Sequence, residues 1–186
     1  MQVVRRTPVV GDQNRIMAQR RVPFDLDAYE QRVRADADTG NCFICSIVTG
    51  ERDDHLVVFR DERCVAFLDK FPTLLGYTLV APLEHRTDVV AAFTADEYGE
   101  LQRRVHRVGR AVSAAVPTER LYVMSLGSHQ GNAHVHWHVA PLPPGVPYRE
   151  QQFAALTREH GCLDIPRNEL VAVAARIRDA LDRGES

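Results

Sequence analysis

Residues 132–141 read NAHVHWHVAP, and they constrain the fold more than any other stretch of the chain. His134, His136 and His138 occupy alternate positions, with Val135, Trp137 and Val139 between and after them. Side chains two apart in a β-strand share one face about 6.6–6.8 Å apart, whereas a helix would scatter them. The pattern predicts a strand with one apolar face and one face of three imidazoles. Three such rings are too spread along a straight strand to be taken as ligands of a single ion, although neighbouring pairs can chelate. Histidine is also poor filler for a solvated sheet face, where Thr, Lys or Glu would serve. Chemistry is the expected use of this face.

The rest of the chain supplies neighbours for such a strand. Residues 56–60 and 64–68 are β-type runs separated by Asp61, Glu62 and Arg63, a hairpin signal, and a third run spans 77–81 before Pro82. Thr94 and Glu97 form a capping-box pattern. Leu101, Val105, Val108, Val112 and Ala115 follow at helical intervals, so one long amphipathic helix is expected, ending near Pro117. Residues 121–126 are a further β-type run, joined to the histidine segment by the polar loop 127–131. Asp25 caps an expected helix over 24–38 that Gly40 ends. Two helical patterns, 148–160 and 166–181, close the chain. Leu170, Val173, Ala174, Ile177 and Leu181 of the second make an apolar stripe that must pack on the domain or on a second subunit. Residues 1–22 are Arg-rich without a period and are expected to be a poorly ordered arm. The order of elements points to an α+β domain: an antiparallel sheet of about five strands, a long helix packed on it, and extra helices at both ends.

With 186 residues, 45% of them hydrophobic, the chain can bury one substantial core. Its 23 basic and 25 acidic residues nearly cancel, so it lacks the basic field that generic nucleic-acid or anionic-membrane binding needs. Any phosphate-bearing ligand must be held by a local site. No apolar run has the length of a signal peptide or a membrane span, and a soluble cytosolic protein is expected.

Of the four cysteines, Cys42 and Cys45 stand as C-x-x-C, which in a reducing compartment suggests half of a tetrahedral zinc site more than a disulfide. His55, His85, His106, His129, His134 and His160 are candidate partners, and spacing does not choose among them. Taken singly, His55 reads as surface in a charged turn, His106 as exposed on the long helix, and His160 as a helix cap. Asp69, directly after the strand 64–68, suits a vicinal diol as well as an ordinary turn.

Together these residues resemble a family. HVHWHVA matches the histidine-triad pattern, His-φ-His-φ-His-φ-φ with φ apolar. CFICSIV, VAFLDKFPTLLGYTLVAPLEH and GSHQGNAHVHWHVAP are similar, in order and at plausible distances, to signatures of bacterial histidine-triad (HIT) nucleotide hydrolases and transferases. The resemblance covers about residues 41–143. It implies an arm and helix over 1–40, a HIT domain over 41–143, and a helical extension over 144–186. It also implies Zn2+ held by Cys42, Cys45, His85 and His134, with His136 as nucleophile and His138 on the substrate phosphate. By the same likeness Asp69 binds ribose hydroxyls, Phe43, Ile44, Phe67 and Leu68 stand around the base, and Ser125, Ser128 and Gln130 lie near the phosphate. The expected partner is a small purine nucleotide, and a homodimer is implied. There are departures: Tyr77 replaces a frequent His, Ser125 a frequent Asn, the loop before the triad is two residues shorter, and His129 is extra. Two rivals stand beside covalent catalysis through His136: a nucleotide-binding or sensing protein with little turnover, and a metalloenzyme using all three triad histidines as ligands.

Overall fold

The structure is a computed structural model that describes residues 20–184, so most of the expected arm lies outside the described residues. Five strands form one antiparallel sheet: β2 (Val57–Arg60), β3 (Cys64–Leu68), β4 (Thr78–Pro82), β5 (Arg120–Ser125) and β6 (Trp137–Leu142), in the order β2-β3-β4-β6-β5. A separate two-stranded ladder pairs β1 (Arg21–Val22) with β7 (Cys162–Leu163) and ties the start of the described chain to the segment before its last helix. The helices are α1 (Leu26–Asp38), α2 (Phe43–Thr49), α3 (Ala95–Ala115), the single turn α4 (Phe153–Leu156) and α5 (Arg167–Asp182). The α+β reading, with five antiparallel strands and a long helix, is borne out.

The period of two sorts the strands into two cores. Ala66, Val80, Trp137 and Val139 face α3, where they meet Val105, Val108 and Val112. Val173, Ala174 and Ile177 of α5 close this core, so the terminal apolar stripe is covered within the chain. Fully burying each such aliphatic side chain stabilises the fold by roughly 1.5–3 kcal/mol. On the other face, Val65, Phe67, Leu79, Ala140 and Leu142 pack with Ile44 and Ile47 of α2. The full capping box at Thr94 and Glu97 starts α3 where the sequence places it.

Three local differences from the sequence reading have physical causes. The ladder of β6 begins at Trp137, so only His138 of the three histidines pairs within it, opposite Leu79 on one side and Met124 on the other. Beyond Pro82 the neighbouring chain turns away, and a single bond from Val135 N–H to the Arg86 carbonyl, 2.7 Å, continues the contact. Alternation survives nonetheless: Val135, Trp137 and Val139 lie in the α3 core. Residues 148–160 are not one helix but two 3-10 turns around α4, interrupted at Gln152, whose φ is 55°. Tertiary bonds override propensity there, including Arg158 Nε to the Phe71 carbonyl at 3.1 Å. Finally, residues 43–49 fold as α2, with Cys42 as N-cap whose Sγ accepts the Cys45 N–H.

Candidate active site and metal cluster

Four donors converge where α2, the end of β4 and the approach to β6 meet. The ligand atoms of Cys42, Cys45, His85 and His134 all lie within 4.8 Å of one another. His134 Nδ1 is 3.5 Å from each Sγ, and His85 Nδ1 is 3.3 Å from Cys45 Sγ. The outer nitrogen of His134 donates to the Pro82 carbonyl at 3.0 Å, which leaves the Nδ1 lone pair aimed at the thiols. Burial lowers the pKa of His134 to about 4 and keeps it in the neutral, coordinating form. Burial and the adjacent Cys42 push the Cys45 thiol up to about 11, so two thiolates side by side here call for a cation. Two thiols and two imidazoles are the donor set of a closed tetrahedral site. Arg86 fixes the loop that carries His85, bonding Glu84 at 2.7 Å and Glu97 at 2.9 Å.

The other two histidines turn into a cleft of about 760 Å³. His136 Nδ1 donates to the His134 carbonyl at 2.7 Å, which places the lone pair of the neutral ring on Nε2. Burial lowers its pKa. Ser125 Oγ donates to the His136 carbonyl at 2.8 Å and so steadies the same backbone from β5. His138 lies beside it, ring centroids 4.8 Å apart. The buried Tyr77 phenol, whose pKa burial raises, stays protonated and bonds His138 Nδ1 at 3.1 Å. With Tyr77 as donor the His138 proton sits on Nε2, a buried atom without a hydrogen-bond partner. Burial pushes His138 down to about 3, with His136 and Arg158 adding to the shift.

Phe43, Phe67, Asp69 and Ser128 line this cleft with the two histidines. Asp69 is buried; its Oδ1 accepts the Phe71 N–H at 2.9 Å and its Oδ2 accepts from Arg158 Nη2 at 2.8 Å. Ile44 and Leu68 stand in the two cores, outside the cleft lining. Gln130 is exposed, and its N–H donates to Ser128 Oγ at 3.1 Å. The extra His129 is exposed beside His85 and His134, on the side of the thiols. His106 is exposed as expected, and His160 ends a 3-10 turn before Gly161.

Several cleft residues were not anticipated. Tyr29, Arg32 and Val33 of α1 form one wall, and α1 sits so close to the loop 127–132 that a Cβ on Gly131 would lie 2.2 Å from Val33 Cγ1. Arg158 reaches in from the C-terminal segment, its guanidinium over the rings of Phe24 and Tyr29. His55 is turned inward, with its side chain only 7% exposed. The sequence held no local signal for these.

A HIT domain family model matches residues 50–144. The chain belongs to the HIT family. It is 34% identical over 103 residues to an uncharacterised HIT-like protein of Saccharolobus solfataricus, spanning 54% of this chain and 73% of that one. It is 27% identical over 131 residues to a protein of Schizosaccharomyces pombe named adenosine 5'-monophosphoramidase, spanning 64% and 95% of the two chains. Among solved structures it resembles a hypothetical histidine triad nucleotide-binding protein of Sulfolobus tokodaii, with TM-score 0.62, 25% identity and coverage of 76% and 93%. The fold also matches a Zn-bound histidine triad family protein of Mycobacterium smegmatis, with TM-score 0.62, 22% identity and coverage of 79% and 97%. Tyr29 and Arg158, which line the cleft, lie outside the residues that the HIT model matches. Among the described residues no helix is long and apolar enough to cross a membrane.

Proposed function

We propose that this HIT protein is a zinc-containing nucleotide hydrolase or nucleotidyltransferase that cleaves an α-phosphate ester, anhydride or phosphoramidate of a purine nucleotide. The observation that carries the reading is the commitment of His136 Nδ1–H to the His134 carbonyl, which turns a neutral Nε2 lone pair towards the cleft. Nε2 attacks the α-phosphorus; an N–P bond forms as the bond to the leaving group breaks. The leaving group departs with that electron pair and gains a proton from solvent. Because Nδ1–H stays on its carbonyl, the adduct is a cationic phosphoimidazole with a weak N–P bond. Water or another acceptor then attacks phosphorus and loses a proton, and the N–P electrons return to Nε2.

The unpartnered Nε2–H of His138 suits a phosphoryl oxygen and stabilises charge that develops there. Ser128 and Gly127 line the same end of the cleft, and Gln130 acts through Ser128. Asp69 takes ribose hydroxyls on the lone pairs that Phe71 and Arg158 leave free. Phe43 and Phe67 border the base, backed by Ile44, while Leu68 faces the opposite core. Zinc on Cys42, Cys45, His85 and His134 supplies a cross-link between α2, β4 and the approach to β6. All four cysteines are free thiols, which suits the cytoplasm, and a homodimer belongs to the same proposal.

The test is to incubate the protein with a panel of AMP-bearing anhydrides and phosphoramidates, quench, and seek a nucleotidyl adduct by mass spectrometry. An adduct mapped to His136, absent from His136→Ala, is expected. Nucleotide binding without adduct or turnover across the panel would instead establish a binding or sensing protein.

A further inference from the structure

His55 lies in a charged turn, yet its ring is buried and lines the cleft beside Phe67. It packs edge-on against Phe67, ring centroids 5.5 Å apart. Phe67 in turn meets Phe43 at 6.3 Å, and Phe43 meets His136 at 6.2 Å. This run of rings leads from the reacting nitrogen along the cleft and ends at His55. A nucleotide with its phosphorus at His136 and its base against Phe43 and Phe67 therefore points its far edge towards His55.

The turn also settles which nitrogen of His55 carries the proton. Asp54 Oδ1 lies 2.9 Å from Nδ1, and Oδ2 of the same carboxylate is paired with Lys70. Lys70 holds the Asp54 pKa below the usual carboxylate range, so this carboxylate only accepts. Burial lowers the pKa of His55, so the ring is neutral near pH 7. A neutral ring facing an acceptor at Nδ1 must place its proton there, and Nε2 is left with a lone pair. Among the described residues Nε2 has no hydrogen-bond partner.

We infer that His55 Nε2 is an acceptor that reads the base and selects a 6-aminopurine over purines without an amino group at that position. In a purine the N1–C6 edge is the one farthest from the sugar, and it is the edge that a base seated on Phe67 turns to His55. At C6 adenine offers an N–H donor, an unsubstituted purine offers none, and a 6-oxopurine sets an acceptor against an acceptor, moving its donor to N1, which only a shifted base could bring to His55. The inference rests on the nucleotide reading of the cleft and assigns its base specificity to one residue.

Calorimetric titration of the full, metal-loaded chain with AMP, purine riboside 5'-monophosphate and IMP tests it. AMP is expected to bind roughly three- to tenfold more tightly than either analogue, the worth of one hydrogen bond in a shielded site. His55→Leu is expected to bring both ratios close to one, and His55→Gln, which keeps an acceptor oxygen, to retain part of them. Equal binding of AMP and purine riboside 5'-monophosphate by the unaltered protein overturns the inference, as does discrimination that survives His55→Leu. Failure of all three nucleotides to bind would be a different result, since it removes the nucleotide reading itself.

Discussion

The Cys/His cluster and the cleft lie on either side of the span from His134 to His136, yet they are built on different principles. In the cluster, four donors of two distinctive types from three short pieces of chain fill a space within 4.8 Å. Their identity carries the chemistry, and each donor's only requirement is to arrive. In the cleft, the two histidine rings come from one extended stretch, whereas Tyr29, His55 and Arg158 arrive from a flanking helix, a turn and the C-terminal segment. There the path of the chain carries the chemistry. A metal site tolerates variation around it so long as its donors stay, while a cleft changes its substrate whenever a distant segment moves.

The sharpest way to break this contrast is to remove one member from each region. Cys45→Ala is expected to lose bound metal together with its stabilisation. That loss is about 4 kcal/mol where free ion stands near a thousand times its Kd, read as a lowered denaturation midpoint. His136→Ala is expected to keep a full complement of metal by elemental analysis while losing the adduct and turnover. Metal loss from His136→Ala would mean that the two regions are one, with the triad histidines acting together as ligands.

Next in size is the link between the cleft and the C-terminal segment. Arg158→Ala leaves the buried carboxylate of Asp69 without its guanidinium and the Phe71 carbonyl without a donor. A stability loss of about 2 kcal/mol is expected from breaking this largely shielded pair, with weaker nucleotide binding and unchanged metal content. Urea denaturation alongside AMP titration measures both; an unchanged affinity would make Arg158 a fastening for the segment alone.

The same contrast explains what was legible in the sequence. The sheet, α3 and α5 were readable because their apolar positions repeat with periods of two and 3.6, and burial of those faces leaves little choice. The alternate histidines declared an extended stretch with two faces for the same reason, although only His138 lies within β6. The candidate metal ligands were narrowed by residue type, and the family resemblance then picked His85 and His134 from six candidates. Residues 43–49 were missed because the stretch is too short and too uniformly apolar to display a helical period. Residues 148–160 were misread because bonds from Arg158 to Asp69 and Phe71, nearly ninety positions earlier, decide the local backbone. His55 carries no mark in its own neighbourhood; only the Phe67 ring across the hairpin shows that it turns inward.

The smallest effect per step is the dependence on pH that the buried histidines of the cleft carry. His138 is held down to about 3, with His136 and His55 also lowered, and burial is the leading cause for each. In the unfolded chain these rings titrate near 6.5. As pH falls below 6.5 the unfolded state takes up protons that the folded state refuses, so stability must fall. For His138 the loss continues to about pH 3, where the folded state begins to accept its proton. Each such ring contributes up to about 1.4 kcal/mol per pH unit within its window. Denaturant midpoints measured between pH 6 and 5 should therefore decline with acid, and His138→Phe should reduce that slope by about one proton's worth. An unchanged slope would mean that His138 is already solvated in the folded protein. Its unpartnered Nε2 would then have water rather than a substrate oxygen as its ordinary companion.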